Sequence, residues 1–340
     1  MNKQLFRCAF AAVSTLVFAA GCSSTPSSVA PVQSSLTPSN QESARGMRVL
    51  AGPAVSGPIV VSLSPHRSHL PHVWPDRRSR GAETLFLADV ENDEILLYNP
   101  KTANPSPQGS ITDGIDRPIG VAVDKHGTLY VVNQDNNTLT VYPHGKTSPS
   151  LTIDSGLDGP YGVAVDSHGD VFASNLNNDT VVGYRPGATT PFETMNFTNL
   201  GQPVGVGVDG KDNIWVACDT TSEVFEIPAG TSSPINSGLT GLNGPIGISF
   251  GPKDVIYVSS FSSQRVNVYK YGATSPFLII TNGIEASGPT LNAVTARGVF
   301  FQTNQFLNVV GYKKGQSSPF STISGNPNPV GIAVTPLVKK

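Results

Sequence analysis

Cysteine, histidine and charge are all scarce in this chain. Of its three cysteines, Cys8 and Cys22 stand near the start and only Cys218 falls in the body. No internal disulfide framework is therefore available, and packing alone must hold the fold. Six histidines occur and none follows His168; no carboxylate follows Glu285. Both gaps thin out the acid–base and metal chemistry open to the C-terminal part. Charged residues make up 14% of the chain, whereas Gly (34) and Pro (28) are plentiful, a balance that favours short strands and turns over helices.

The start of the chain reads as an address. Lys3 and Arg7 precede an apolar run from Ala9 to Ala20 that is too short for a membrane span and fits a secretory signal over 1–21. Ala19-Ala20-Gly21-Cys22 resembles the lipobox of bacterial lipoproteins, which implies that Cys22 is lipidated and becomes the mature N-terminus. Leu is usual where Ala19 stands, so cleavage by the ordinary signal peptidase remains the alternative. The expected location is outside the cytoplasm, lipid-anchored at an outer membrane or cell surface.

From Cys22 to Gly81 the sequence is rich in Ser, Pro, Ala and Gly and poor in large apolar residues, the composition of a flexible tether. It contains PHRSHLPHVWPDRRSR, with His66, His69, His72 and Trp74. A metal or anion site is one reading of that run. The other is a solvated linker, favoured because its prolines oppose any helix that would align the imidazoles. From Ser23 to Gly81 six Arg oppose Glu42 and Asp76, a net +4; from Ala82 onward 14 Lys and Arg oppose 22 acids, a net −8. An acidic body makes nucleic acid an unsuitable partner.

The body, 82–337, is repetitive. Pro118, Pro160, Pro203, Pro245, Pro289 and Pro329 recur at intervals of 42, 43, 42, 44 and 40. A second landmark is an aromatic at Phe86, Tyr130, Phe172, Trp215, Tyr257 and Phe300, and a third is a late proline at Pro107, Pro149, Pro191, Pro234, Pro276 and Pro319. A unit of this size cannot cover its own apolar faces and must stack on its neighbours. Within one unit, GVAVD (Gly120 to Asp124), TLYVVN, TLTVYP and SPSLTI read as four strands separated by turns. The late proline lacks a backbone donor, so it marks the outermost strand, and GVAVD is the innermost.

The first unit lacks a GVAVD strand, while the chain ends on GIAVTP, an inner strand with nothing after it. Each supplies what the other lacks. The expected fold is all-β: a six-bladed β-propeller of four-stranded blades, closed by the C-terminal strand in the first blade. The pattern PxGVAVDxxGxLYVxNxxNxxVxVY resembles the NHL repeat and lacks the GH and WD pairs of WD-repeat propellers. The resemblance implies the fold but leaves function open, since NHL-like propellers include lyases, lactonases, sensors and binding modules.

Loops before the first strand and after the second should share one face, where propellers usually hold ligands. That face would carry Asp116, Arg117, Asp158 and Tyr161, a column of Asp89, Asn133, Asn175, Cys218, Ser260 and Thr303, and Asp219 beside it. An enzyme similar to virginiamycin B lyase or peptidylamidoglycolate lyase would need His there, but His126, His144 and His168 fall in turns of the opposite face. A resemblance to gluconolactonase implies instead a calcium held by Asp89, Asn133, Asn175 and Asp219; the same column also reads as residues that satisfy hairpin backbone. Asp124, Asp166 and Asp209 open DxxG-like turns. The tyrosines Tyr98, Tyr142, Tyr184, Tyr269 and Tyr312 recur once per unit and read as blade packing, whereas Tyr161 and Phe261 break the pattern and are candidate contact residues. The function expected is non-catalytic binding of a protein, peptide or glycan by a monomer; the alternative is a metal-dependent lyase or lactonase with its site in the channel.

Overall fold

The computed structural model describes Trp74, residues 83–326 and residues 328–335. The chain divides between Arg67 and Ser68, and every described residue belongs to the second unit. The expected signal 1–21, Cys22 and the remainder of the 22–81 tether, Trp74 excepted, lie outside the described residues.

Every blade after the first is one antiparallel sheet whose strands follow chain order. In the second blade these are Pro118–Val123, Leu129–Asn133, Thr138–Tyr142 and Leu151–Ile153. Six such four-stranded sheets are present, with no helix among the described residues. The inner strands pack side by side from Pro118–Val123 round to Pro329–Val334 and back to the first, which makes the ring. The first blade is completed by the end of the chain, because Pro329–Val334 pairs antiparallel with Leu85–Asp89. The molecule is a six-bladed β-propeller closed by its C-terminal strand.

Burial explains the residue types. The second strand of every blade is buried along its whole length, because it has sheets on both faces and neighbours on both edges. In the first, second and fourth blades it therefore reads as a largely continuous apolar run rather than an alternating one. The outer strands of the second, fourth and fifth blades are short and partly exposed, so a proline at their edge leaves no ladder partner unsatisfied.

That proline has a second role. Gly114, in the loop that leaves the first blade, lies against the Pro149 ring and the Tyr142 hydroxyl, and Gly156 repeats this with Pro191 and Tyr184. The tyrosine hydroxyl donates to a carbonyl of the same incoming loop: Tyr142 to Asp113 at 2.7 Å, Tyr184 to Ser155 at 2.7 Å, Tyr269 to Thr240 at 2.8 Å and Tyr312 to Asn282 at 2.7 Å. The tyrosine column thus holds the loop that enters the second, third, fifth and sixth blades; Ile227 stands at that position in the fourth.

Two sequence alignments shift by one residue in the sixth blade. Ala293 pairs with Phe301 as Ala122 pairs with Tyr130, and Asn304 closes its strand opposite Asn308 as Asn133 does opposite Thr138. Phe301, not Phe300, is therefore the second-strand aromatic, and Asn304, not Thr303, belongs to the Asp/Asn column. Between this blade and the fifth, polar contacts replace apolar ones. Asn292 donates to Ser259 Oγ at 2.5 Å, Ser259 donates to Gln302 at 2.6 Å, and the Gln302 amide donates to the Thr303 carbonyl at 2.9 Å.

Trp74 also departs from expectation. It is 5% exposed and belongs to the core between the first two blades, edge-on to Phe86 at 5.0 Å and to the His144 ring at 5.4 Å. The solvated-linker reading does not hold at this residue. A large ring gains more by filling an interblade gap than by remaining in a solvated run.

Candidate functional site

Pro118 faces Asn133 at one end of the blade while Val123 faces Leu129 at the other. Loops before the inner strand and after the second strand therefore share one rim, here the mouth face, and the turns bearing His126, His144 and His168 share the opposite one. At the mouth, Arg117 has φ 49°, its carbonyl accepts the Gln134 amide at 3.1 Å, and its own amide donates to Asp93 Oδ1 at 2.7 Å. Its guanidinium reaches Asp135 at 3.5 Å on the surface, a contact that contributes little in water.

The Asp/Asn column is structural in each blade where the side chain is long enough. Asn133 accepts the Asp116 amide at 3.1 Å and donates to Thr138 and Thr140 hydroxyls. Asn175 accepts the Asp158 amide at 3.0 Å and donates to the Gly156 carbonyl and the Thr180 hydroxyl. Asn304 accepts the Glu285 amide at 3.4 Å and donates to the Gly283 carbonyl at 2.8 Å. Asp89 accepts from the Glu91 amide and the Asn92 side chain within its own hairpin. All four are fully buried; Asp89 is bonded within its own hairpin, while Asn133 and Asn175 tie theirs to the incoming loop. Among the described residues no group of three His, Cys, Asp or Glu side chains gathers at the mouth.

Cys218, in the same column, is buried, and burial pushes its thiol far above the usual range. It is held as an inert thiol. Asp124, Asp166 and Asp209 cap their turns: Asp124 accepts the His126 and Thr128 amides at 2.8 Å each, Asp166 those of His168 and Asp170, and Asp209 those of Lys211 and Asn213.

Tyr161 is wholly buried, so it backs the mouth wall and cannot itself meet a ligand. Burial raises its hydroxyl pKa, with the Asp219 charge adding to that and the Arg117 charge opposing it. The same acid is the unusual group of this face. Asp219 is half-buried, no hydrogen bond or ion pair to its carboxylate forms among the described residues, and burial pushes its pKa up to about 6. Beside it Gly244, at φ 63°, comes so close to Asp219 Oδ1 and Ser262 Oγ that a side chain there would displace both.

From Asp219 an arc continues across two blades. Phe261, next to Ser262, donates its amide to the Gly244 carbonyl at 2.8 Å and lays its ring on Gly288, where no Cβ would fit. The Gly288 carbonyl accepts the Gln305 amide at 3.1 Å, and Phe306 and Leu307 follow, 37% and 46% exposed. Phe306 has φ 61°, an uncommon conformation for a bulky residue. Sequence reasoning passed over these two, although an aromatic in a loop that is polar in other blades is the same signal that singled out Phe261. Of the seven expected contact residues, then, Asp219 and Phe261 share this arc, Arg117 lies at the same rim, and Asp89, Asn133, Asn175 and Tyr161 are buried behind it.

No family model and no curated protein matches the chain. Solved structures match its fold. A chain from a nidogen/laminin complex superposes with TM-score 0.65 at 14% identity, covering 76% of this chain and all of that one. A protein of unknown function from Bacteroides caccae gives TM-score 0.57 at 12% identity over 75% of this chain and 99% of its own. Virginiamycin B lyase from Staphylococcus aureus gives 0.54 at 10% identity over 77% and 93%, and a catalytically inactive histidine-to-alanine variant of that lyase with quinupristin gives 0.51. At these identities the likeness is one of fold.

Proposed function

We propose that the propeller is a non-catalytic recognition module, an NHL-type domain whose mouth face binds a peptide or protein segment that presents a cationic side chain next to apolar ones. The observation that carries this reading is the Asp219 carboxylate, half-buried and without a protein cation, at the head of the arc formed by Phe261, Phe306 and Leu307. Leaving a carboxylate desolvated and unpaired costs stability, which a cationic ligand would restore. The exposed apolar rim supplies area that orients the rest of such a ligand. A glycan would find fewer matching groups here, since the amide side chains of the neighbouring column are bonded inward.

An enzyme of the virginiamycin B lyase type is the second reading, favoured by the shared fold alone. The solved lyase loses activity with one histidine, whereas all the described histidines of this chain lie on the rim opposite Asp219, out of reach of a proton on a ligand bound at the mouth. The setting proposed for the module is the cell envelope: export, attachment through lipid on Cys22, and a monomeric propeller held clear of the membrane by the 22–81 tether.

The test is a fluorescence-polarisation panel of labelled peptides that pair Lys or Arg with Leu or Phe. Binding that weakens at least tenfold in Asp219→Asn and in the Phe306→Ser, Leu307→Ser double variant supports the module. Equal binding by these variants, or consumption of the peptide during the assay, overturns it.

A further inference from the structure

The face opposite the mouth carries a second constellation that the binding module does not use. We propose that Asp166, His168 and Asp212 form a site for one divalent transition-metal ion, of zinc character, that ties the third blade to the fourth. His168 Nδ1 lies 3.6 Å from Asp166 Oδ2 and 3.5 Å from Asp212 Oδ2, and the three ligand atoms all fall within 4.8 Å of one another. A tetrahedral ion with bonds of about 2.1 Å holds its ligands about 3.4 Å apart, so one ion fits between these atoms with little rearrangement.

The two carboxylates are held in place by their own turns, Asp166 through Oδ1 alone and Asp212 through both oxygens, its Oδ2 keeping one lone pair beside the Ser167 hydroxyl for an ion. Asp166 Oδ1 caps its own turn, accepting the His168 amide at 2.8 Å and the Asp170 amide at 2.9 Å, which leaves Oδ2 directed at the imidazole. Asp212 comes from the next blade and accepts the Ser167 amide at 2.9 Å and the Ser167 hydroxyl at 2.6 Å, so the two turns are already clasped. Arg185 pairs with Asp170 instead of Asp166. The imidazole is the outermost ligand, with 72% of its side chain exposed, so the ion could enter from solvent and keep a water in its fourth position.

Neighbouring junctions show why only this one assembles. His126 occupies the equivalent turn position in the second blade, but the residue facing that turn is Ser167, whose carbonyl accepts Lys125 Nζ at 2.6 Å. At the next junction the acid Asp254 accepts the Gly210 amide at 3.0 Å, and Lys211 stands where His168 does. Among the described residues, imidazole and an acid from the next blade coincide once. The mixed nitrogen and oxygen set suits zinc or cobalt; calcium takes six to eight oxygens, more than this site provides.

The experiment titrates metal-stripped full-length protein with zinc by calorimetry and melting, and with cobalt(II) by visible absorption. One equivalent should bind, raise the melting temperature and give the absorption of a low-coordinate cobalt site. His168→Ala and Asp212→Asn should each weaken affinity at least tenfold and abolish the melting shift, while His126→Ala should change neither. Unchanged affinity in His168→Ala, or a signal that disappears with His66, His69 and His72 instead, overturns the site. So does a lack of binding at millimolar zinc.

Discussion

Gly331 lies against the carbonyl oxygen of Ile119 so closely that a methyl group on its α-carbon would overlap that oxygen. The two residues belong to the last and the first complete inner strands of the chain, so this approach is where the ring shuts. Gly120, Gly162, Gly205 and Gly247 repeat it against Tyr161, Val204, Ile246 and Thr290. A side chain at any of these positions must push two blades apart. Gly331→Ala is therefore expected to cost about 1–3 kcal/mol, and deletion of 329–340, which removes an inner strand, considerably more. Thermal melts of the two variants beside the full chain check this; a deletion variant that melts with the full chain would count against closure.

Trp74 supports a second stability prediction. Its ring fills the core between the first two blades against Phe86 and His144, and truncating a buried tryptophan typically costs about 3–5 kcal/mol. Trp74→Ala should lower the melting temperature, whereas removal of Ser23 to His66 should leave it unchanged. The comparison separates a tether from a docked side chain: equal melting of Trp74→Ala and the native chain would return Trp74 to the tether.

The contrast between these two sites shows what the sequence could reveal. Ring closure was legible because the period of Pro and Gly is imposed at every blade by the same backbone geometry, so the missing first strand and the surplus last one could be matched. Trp74 was not, because it lies outside the repeat and its partner gap is formed only when two blades meet. The one-residue slips at Phe301 and Asn304 arise where two phenylalanines stand side by side, although Phe301 keeps the spacing from Pro289 that Tyr130 keeps from Pro118. At the candidate site the sequence left the direction of the Asp/Asn column open: Asn133 and Asn175 turn inward, a fact set by hydrogen bonds to the incoming loop, and Tyr161 is buried as well. Asp212 joins His168 only through the stacking of successive blades.

Asn175 tests the structural reading of its column. The side chain accepts one loop amide and donates to the Gly156 carbonyl and the Thr180 hydroxyl, wholly buried. Asn175→Ala would strand these groups, each stranded buried partner costing about 1–3 kcal/mol. Urea denaturation should show a lower midpoint with an unchanged slope. No loss of stability would mean that the amide faces something other than these loop and hairpin groups, as a calcium ligand would.

Asp219 gives a pH dependence with a definite sign. Burial raises its carboxyl from 3.8 to about 6, so between those values the folded protein holds a proton that the unfolded chain has released. The folded state then binds more protons, and stability falls as pH rises through that window. Above it the charged form costs roughly 3 kcal/mol at most, since each pKa unit corresponds to about 1.4 kcal/mol and partial solvent access reduces the effect. Asp219→Asn keeps the shape and removes the charge; it should stabilise the protein by about 1–3 kcal/mol above pH 6 and by nothing below pH 4. Melting curves of both proteins from pH 3.5 to 8 check this, and a gain independent of pH would show that the carboxylate is not the strained group. If the same substitution also weakens peptide binding, then one charge accounts for both the instability of the free propeller and its affinity, as expected of a site that gives up folding energy to leave an acid unpaired for its ligand.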